Sequence, residues 1–169
     1  MAKAKRHAVI RNIAEVLWRQ FAHHHGGALS KPLVMPETAG SKHLDYRISM
    51  YQPMAYVELH SHEIQEQVYH VLEGEGLMQI DGVSRVVRKH DVIFLPPGVK
   101  HDIANTGLSD LVFIVVTSPV AAAGWRRFAG ESGALLRAIT ASAPPAGPPR
   151  FQRSCRTPRR SSIPSRRGS

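Results

Sequence analysis

Two histidines one residue apart, His60 and His62, have the residue type and spacing of a metal site. On a β-strand, residues i and i+2 point to the same face roughly 6.5 to 7 Å apart, so two imidazoles can reach one ion at about 2.1 Å. Tyr56 and Glu58 share their parity, and a core-facing strand would not carry Tyr, Glu, His and His. A polar, exposed edge strand would show the same local pattern, so this segment alone leaves both interpretations open.

A second segment, LPPGVKHDIAN, places His101 after a tight Pro-Gly turn at the start of a strand. Together the two segments resemble the paired motifs of the cupin family, G(x)5HxH(x)3-4E(x)6G and G(x)5PxG(x)2H(x)3N, laid over residues 54–74 and 90–105. The matching residues are His60, His62 and Gly74 in the first motif and Pro96, Gly98, His101 and Asn105 in the second. The chain is therefore identified as resembling the small single-domain cupins over roughly residues 45–118.

This resemblance implies an all-β fold, the double-stranded β-helix or jelly-roll barrel of the cupins. It also implies a divalent metal ion (Fe, Mn, Ni or Zn) with His60, His62 and His101 as ligands. Met54 and His90 stand where the two motifs begin with Gly, and both are turn positions.

The fourth ligand of the family motif is an acidic residue, and here two neighbouring residues compete for that place. Counting back from Gly74 and forward from His62 with four intervening residues both lead to Gln67, whereas Glu66 fits only the three-residue forward count. Strand parity does not decide, because neither face of this strand is clearly more apolar. We expect Gln67 to be the ligand and keep Glu66 as its rival.

Three neutral imidazoles and one neutral amide would leave the full +2 charge on a bound ion, which makes it a strong Lewis acid toward anionic oxygen. Some cupins resemble this chain in having His, His, Gln and His as metal ligands, and they are enzymes that do not use redox chemistry. This resemblance implies a metal-dependent enzyme of the isomerase, cyclase or lyase type that acts on an oxygen-rich small molecule. An Fe(II) dioxygenase and a non-catalytic metal- or ligand-binding sensor are the alternatives.

The same strands supply candidate acids and bases. Glu58 beside a cation would stay ionised and could accept a proton, while Tyr69 or Tyr56 could donate one. Each residue has a structural alternative, since a Glu can simply hold the outer nitrogen of a ligand histidine and a Tyr can simply pack.

Short strands and turns around these residues predict the elements that position them. Residues 33–120 contain closely spaced apolar runs, the hairpin signal Asp81-Gly82 and a Pro-Pro-Gly turn, as expected for a β-barrel. We expect an N-terminal helical extension over 1–32, with its apolar stripe in 8–21, and a short helical segment over 121–140. His23 to His25 are expected to be a solvated helix end, and the basic tail, 141–169, should be disordered.

The charge distribution bears on partners. The net charge is +9, but residues 141–169 contain seven Arg and no acidic residue, and residues 1–25 carry a net +4, which leaves about −2 for residues 26–140. The fold itself is therefore not expected to bind nucleic acid. The single Cys155 and the lack of a long apolar run predict a cytoplasmic protein that does not enter membranes.

We also expect a homodimer that pairs through an outer sheet. The outward apolar residues expected to form its surface are Val57, Leu59, Val68 and Leu72, together with the N-terminal helix.

Overall fold

Two antiparallel β-sheets make up most of the described protein, which comprises residues 8–120 and the backbone of Trp125–Arg127 in the computed structural model. The strands are β1 (His24–His25), β2 (Ala28–Val34), β3 (Asp45–Tyr51), β4 (Tyr56–Val57), β5 (His60–His62), β6 (Glu66–Glu73), β7 (Glu75–Ile80), β8 (Val83–Arg88), β9 (Val92–Leu95), β10 (His101–Ala104), β11 (Leu111–Ser118) and β12 (Trp125–Arg127). A single-turn helix, α1 (Pro36–Ala39), follows β2.

The sheets face each other across one apolar core. One has five strands in the order β2-β3-β11-β6-β9, and the other joins β1, β4, β5, β7, β8, β10 and β12. Strand β11 alternates regularly between buried and half-buried residues, which is the period-2 pattern of a strand with one face against a core. Buried core residues include Tyr51, Val71, Met78 and Phe113. The predicted all-β barrel is confirmed.

The structure shows which residues of strand β6 face the barrel interior, a question that the sequence left open. Gln67, Tyr69 and Val71 are buried, whereas Val68 and the other residues of the opposite parity are half-buried or exposed. The strand lies between β11 and β9, with Gln67 opposite Thr117 and Leu95. Its inner face therefore begins with an amide and continues into the core.

Two turns that the sequence predicted are present in the structure. Asp81 and Gly82 both have positive φ, 47° and 83°, and join β7 to β8 as the hairpin signal predicts. In the Pro-Pro-Gly turn, the backbone N–H of Gly98 donates to the carbonyl of His62 at 2.7 Å. This bond ties the turn before His101 to the end of β5.

The helix predicted over residues 8–21 does not form. A single 3-10 turn, Ile13–Glu15, is present, and the chain then runs beside β2, where Arg19 and Ser30 exchange two backbone hydrogen bonds of 2.9 Å. Of the apolar residues expected to form the buried stripe, Val9, Ile13 and Leu17 are exposed. The unpaired edge of β2 offers backbone partners that a short helix without a buried face cannot match.

His23 to His25 are likewise not a helix end. His24 and His25 form β1, which pairs with β4, and β2 begins at Ala28, before the boundary expected at residue 33.

The C-terminal predictions fall mostly outside the described residues. Within 121–140 only Trp125–Arg127 is described, and it is a strand paired with β5 rather than a helix. The predicted tail, 141–169, lies wholly outside them. Among the described helices, none has the length and apolar character needed to cross a membrane.

Candidate metal centre and its cavity

Three buried histidines converge at one end of the barrel. His60 and His62 lie on β5 and His101 on β10, directly opposite His60 in the strand register. One ring nitrogen from each lies within 4.8 Å of the others, and the ring centroids of His60 and His101 are 4.3 Å apart. All three side chains are at least nine-tenths buried, so the sequence pattern that suggested a metal site corresponds to a real cluster.

Backbone carbonyls orient two of these rings. The Nδ1 atom of His60 lies 2.7 Å from the Glu58 carbonyl, and that of His101 lies 3.1 Å from the Val99 carbonyl. A carbonyl only accepts, so each Nδ1 must carry the proton, and each Nε2 of a neutral ring is then a lone pair. Metal-binding histidines commonly show this arrangement, because an outer hydrogen bond fixes the ring and its tautomer.

Gln67 brings a further lone pair to the same point. Its Nε2 donates to Thr117 Oγ1 at 3.0 Å, which turns its Oε1 toward His101 Nε2 at 2.9 Å. An amide oxygen and an unprotonated imidazole nitrogen both accept, so their approach is unfavourable unless a proton or a cation lies between them. Burial lowers the pKa of His101 to about 4, which disfavours a proton at neutral pH. The donor set therefore fits a cation.

His62 adds an uncommitted donor atom. Within the described part of the chain, neither of its ring nitrogens has a hydrogen bond of normal geometry, although the Gln65 and Gln67 side chains lie close enough to raise its pKa slightly against the lowering caused by burial. Burial also lowers the pKa of His60. Near pH 7 all three rings are thus neutral, the form that binds a metal.

Glu66, the rival of Gln67, lies at the start of β6 with an exposed side chain. Gln67 is 7% exposed and touches His101. Which of the two residues binds a metal remains a prediction, but only Gln67 is in contact with the cluster.

A cavity of about 590 Å³ opens over the histidines. This volume is in the range of small-molecule sites, about 300 to 1,000 Å³. The residues lining it include Phe21, His24, Arg47, Tyr51, Val57, Tyr69, Phe113 and Val115, besides His60, His62 and Gln67. Tyr69 stacks on Phe113 with 5.5 Å between ring centroids and lies edge-on to His101. Burial raises its pKa, so its hydroxyl stays protonated.

Tyr56 and Glu58 do not share this face, and the parity argument for them is wrong. The strand is interrupted between β4 and β5, so the alternation shifts and Val57 points into the core instead. Glu58 lies 2.9 Å from His25 Nε2, and Tyr56 stacks on the same imidazole. For the same reason Val57, like the buried Leu59, is not part of an outer surface.

Three cavity residues have no counterpart in the sequence prediction. Asp45 and Arg47 lie on the inner face of β3, and His24 packs edge-on to Tyr51 at 6.0 Å. Polar residues on a strand face normally indicate solvent, so alternation alone assigned no role to β3. A useful signal would have been that its other face, Tyr46, Ile48 and Met50, is apolar.

Known proteins show the same architecture. The cupin domain family model matches residues 47–117. An oxalate-binding protein of Thermotoga maritima is 39% identical over 64 residues, 38% of this chain and 53% of that protein. The chain spans about half the length of the curated relatives it matches.

Two solved structures extend the comparison to the fold. A predicted oxalate decarboxylase from Thermotoga maritima has a TM-score of 0.60 at 26% identity, with 66% of this chain and 100% of that one covered. The polyketide cyclase RemF from Streptomyces resistomycificus has a TM-score of 0.64 at 21% identity, with 75% and 89% covered. The paired motifs, the barrel and the histidine cluster together show that residues 47–117 of this chain form a cupin domain.

Proposed function

We propose that the protein is a metal-dependent cupin enzyme that acts on an oxygen-rich small molecule, with His60, His62, His101 and Gln67 as ligands of a divalent ion. The observation that carries this proposal is the approach of Gln67 Oε1 and His101 Nε2 to 2.9 Å. Two lone pairs are held together there by outer hydrogen bonds to Thr117 and Val99.

The neutrality of this ligand set shapes the chemistry. A divalent ion bound there would keep its full charge and polarise a carbonyl, carboxylate or hydroxyl oxygen of the substrate. The protein's own part is to hold three neutral imidazoles in place and to exclude water with the apolar and aromatic walls of the cavity.

Tyr69 is placed to donate a hydrogen bond in the cavity. It lies beside His101 in the cavity lining, and burial raises its pKa, so its hydroxyl stays protonated and can donate a hydrogen bond to a substrate oxygen. Glu58 and Tyr56 are not included in this role, since both side chains contact His25.

The similarity to the oxalate-binding protein supports an anionic, oxygen-containing ligand. Oxalate is a natural first probe for that reason, although the cavity also has room for a larger molecule.

Metal binding is the test of this proposal. The purified protein is stripped with a chelator, reloaded separately with Zn²⁺, Ni²⁺, Mn²⁺ and anaerobic Fe²⁺, and its metal content and affinity are measured by mass spectrometry and calorimetry. We expect about one ion per chain, and loss of binding by at least tenfold in His62→Ala. His70→Ala, on the outer face of β6, is the matched control and should bind as the wild type does. Equal binding by both variants, or none by the wild type, would refute the proposal.

We further propose a homodimer formed through the outer face of the five-stranded sheet. Most of this face is apolar, with Val92 64% and Phe94 57% exposed at its edge. Its other apolar members are half-buried: Ile48, Met50, Val68, Leu72, Val112, Ile114 and Val116. Large exposed apolar patches commonly mark interfaces.

Light scattering after size exclusion at micromolar concentration tests the dimer. Phe94→Arg should give a monomer, whereas Val83→Arg, an equally exposed apolar site on β8, should leave the dimer intact. A monomeric wild type would contradict the proposal.

A further inference from the structure

The inner face of β3 is polar although it faces the barrel interior. Asp45, Arg47, Ser49 and Tyr51 share this face, and all four line the cavity. Ser49 is already satisfied by Ser30, with 2.8 Å between the hydroxyl oxygens. A charged pair on an inward face is costly to bury, which raises the question of what Arg47 is there to bind.

Arg47 is held in a fixed position from two sides. Its Nε donates to Asp45 Oδ1 at 3.0 Å, and its Nη2 contacts the other carboxylate oxygen. The guanidinium also lies over the ring of Phe21, with its Cζ 4.5 Å from the ring centroid, a favourable cation–aromatic contact. The pair with Asp45 uses two of the five guanidinium N–H groups, so the rest of the rigid fork can donate to a molecule in the cavity.

His60 and His62 of the histidine cluster lie in the walls of the same cavity as Arg47. A planar guanidinium matches a carboxylate better than any other side chain does, because it can form two parallel charge-assisted hydrogen bonds. Apolar and aromatic side chains, Val57, Phe113 and Val115 among them, also line this cavity. A ligand that fits has an acidic end and an apolar body.

We propose that Arg47 is a specificity-determining residue that binds a carboxylate of the substrate, so that the substrate class is carboxylic acids with an apolar body. This inference rests on the proposed function for the role of the histidine cluster. In it, Asp45 is a positioning residue that fixes the guanidinium, and the cavity binds the acid with its body against Phe113 and a second oxygen-bearing group of the substrate toward the histidines.

The test compares the binding of two ligands to two metal-free proteins, the wild type and one variant. The probes are 3-phenylpropionate and its neutral amide, 3-phenylpropionamide, titrated into the wild type and Arg47→Gln and followed by NMR. We expect Arg47→Gln to weaken binding of the acid by at least tenfold, as for the loss of a charge-assisted pair, and to leave binding of the amide unchanged. Arg85→Gln removes the same charge from an exposed site on β8 and should bind both probes as the wild type does.

Arg47→Lys keeps the charge opposite Asp45 and serves as the variant that preserves the fold. It should weaken the acid several-fold, because an ammonium cannot form the bidentate pair. Equal binding of the acid by the wild type and both Arg47 variants would overturn the inference, as would an amide that binds the wild type as tightly as the acid. Because the titration is metal-free, a protein that fails to bind metal refutes the proposed function without affecting this result.

Discussion

Gln67→Glu is the most informative change at the histidine cluster, because it converts a neutral ligand set into one with a carboxylate. The amide is 7% exposed and lies 2.9 Å from His101, so a carboxylate at this position would be buried beside the ion. If Gln67 is a ligand, the new charge should strengthen binding of a divalent metal.

The size of the effect follows from opposing contributions. Two unit charges 4 Å apart interact by about 4 kcal/mol at an effective dielectric of 20, and a divalent ion doubles this. Desolvation of a buried carboxylate cancels several kcal/mol, and the hydrogen bond to Thr117 contributes about 1 kcal/mol that is lost. A net gain of about 1.5 to 3 kcal/mol remains, which corresponds to a ten- to hundredfold higher affinity.

Calorimetric titration of Zn²⁺ or Mn²⁺ into the chelator-treated variant measures this change. Glu66→Gln is the matched control, since it alters the neighbouring exposed side chain by the reverse substitution, and its affinity should stay within about twofold of the wild type. If Glu66→Gln loses the metal while Gln67→Glu leaves affinity unchanged, the ligand assignment is wrong.

Two further predictions concern stability. Met54 and His90 have φ values of 70° and 77°, a region that favours glycine. Met54→Gly and His90→Gly should therefore each raise the unfolding free energy measured in urea titrations, by up to about 1 kcal/mol. A decrease in the unfolding free energy by more than about 1 kcal/mol would contradict the backbone argument. Burial raises the pKa of Asp102 to about 6 from 3.8, so its ionised form destabilises the fold above pH 6. Asp102→Asn should then be more stable than the wild type by up to about 3 kcal/mol at pH 7. Because the wild-type carboxyl becomes protonated, this advantage should vanish as the pH falls from 6 to about 4, and a difference independent of pH would refute it.

The sequence predicted the histidine cluster because strand parity and motif spacing determine local geometry directly. His60 and His62 point to the same face because they lie on one three-residue strand. The tight turn before His101 brings the third ring beside them. Tyr56 and Glu58 lay one interruption away, and a single break between strands reverses parity. Parity arguments are therefore sound within a strand and fail across a break that leaves no clear mark in the sequence.

The prediction of a helix in the N-terminal segment was wrong for a different reason. Its helical periodicity was real, but the edge of β2 provided hydrogen-bond partners far along the chain, and long-range pairing is invisible to a local pattern. Arg47 was missed because a polar residue on a strand is read as solvent-facing until the fold shows that β3 faces a cavity.

Several walls of the cavity come from outside the cupin domain at residues 47–117. Phe21, His24, Met35 and Glu37 all precede it and line the cavity, while His60, His62 and His101 lie within it. Part of the cavity wall is thus encoded in a stretch of the polypeptide that precedes the histidines. Substitutions in the N-terminal segment can therefore reshape part of the cavity without changing the sequence of the strands that carry the histidines.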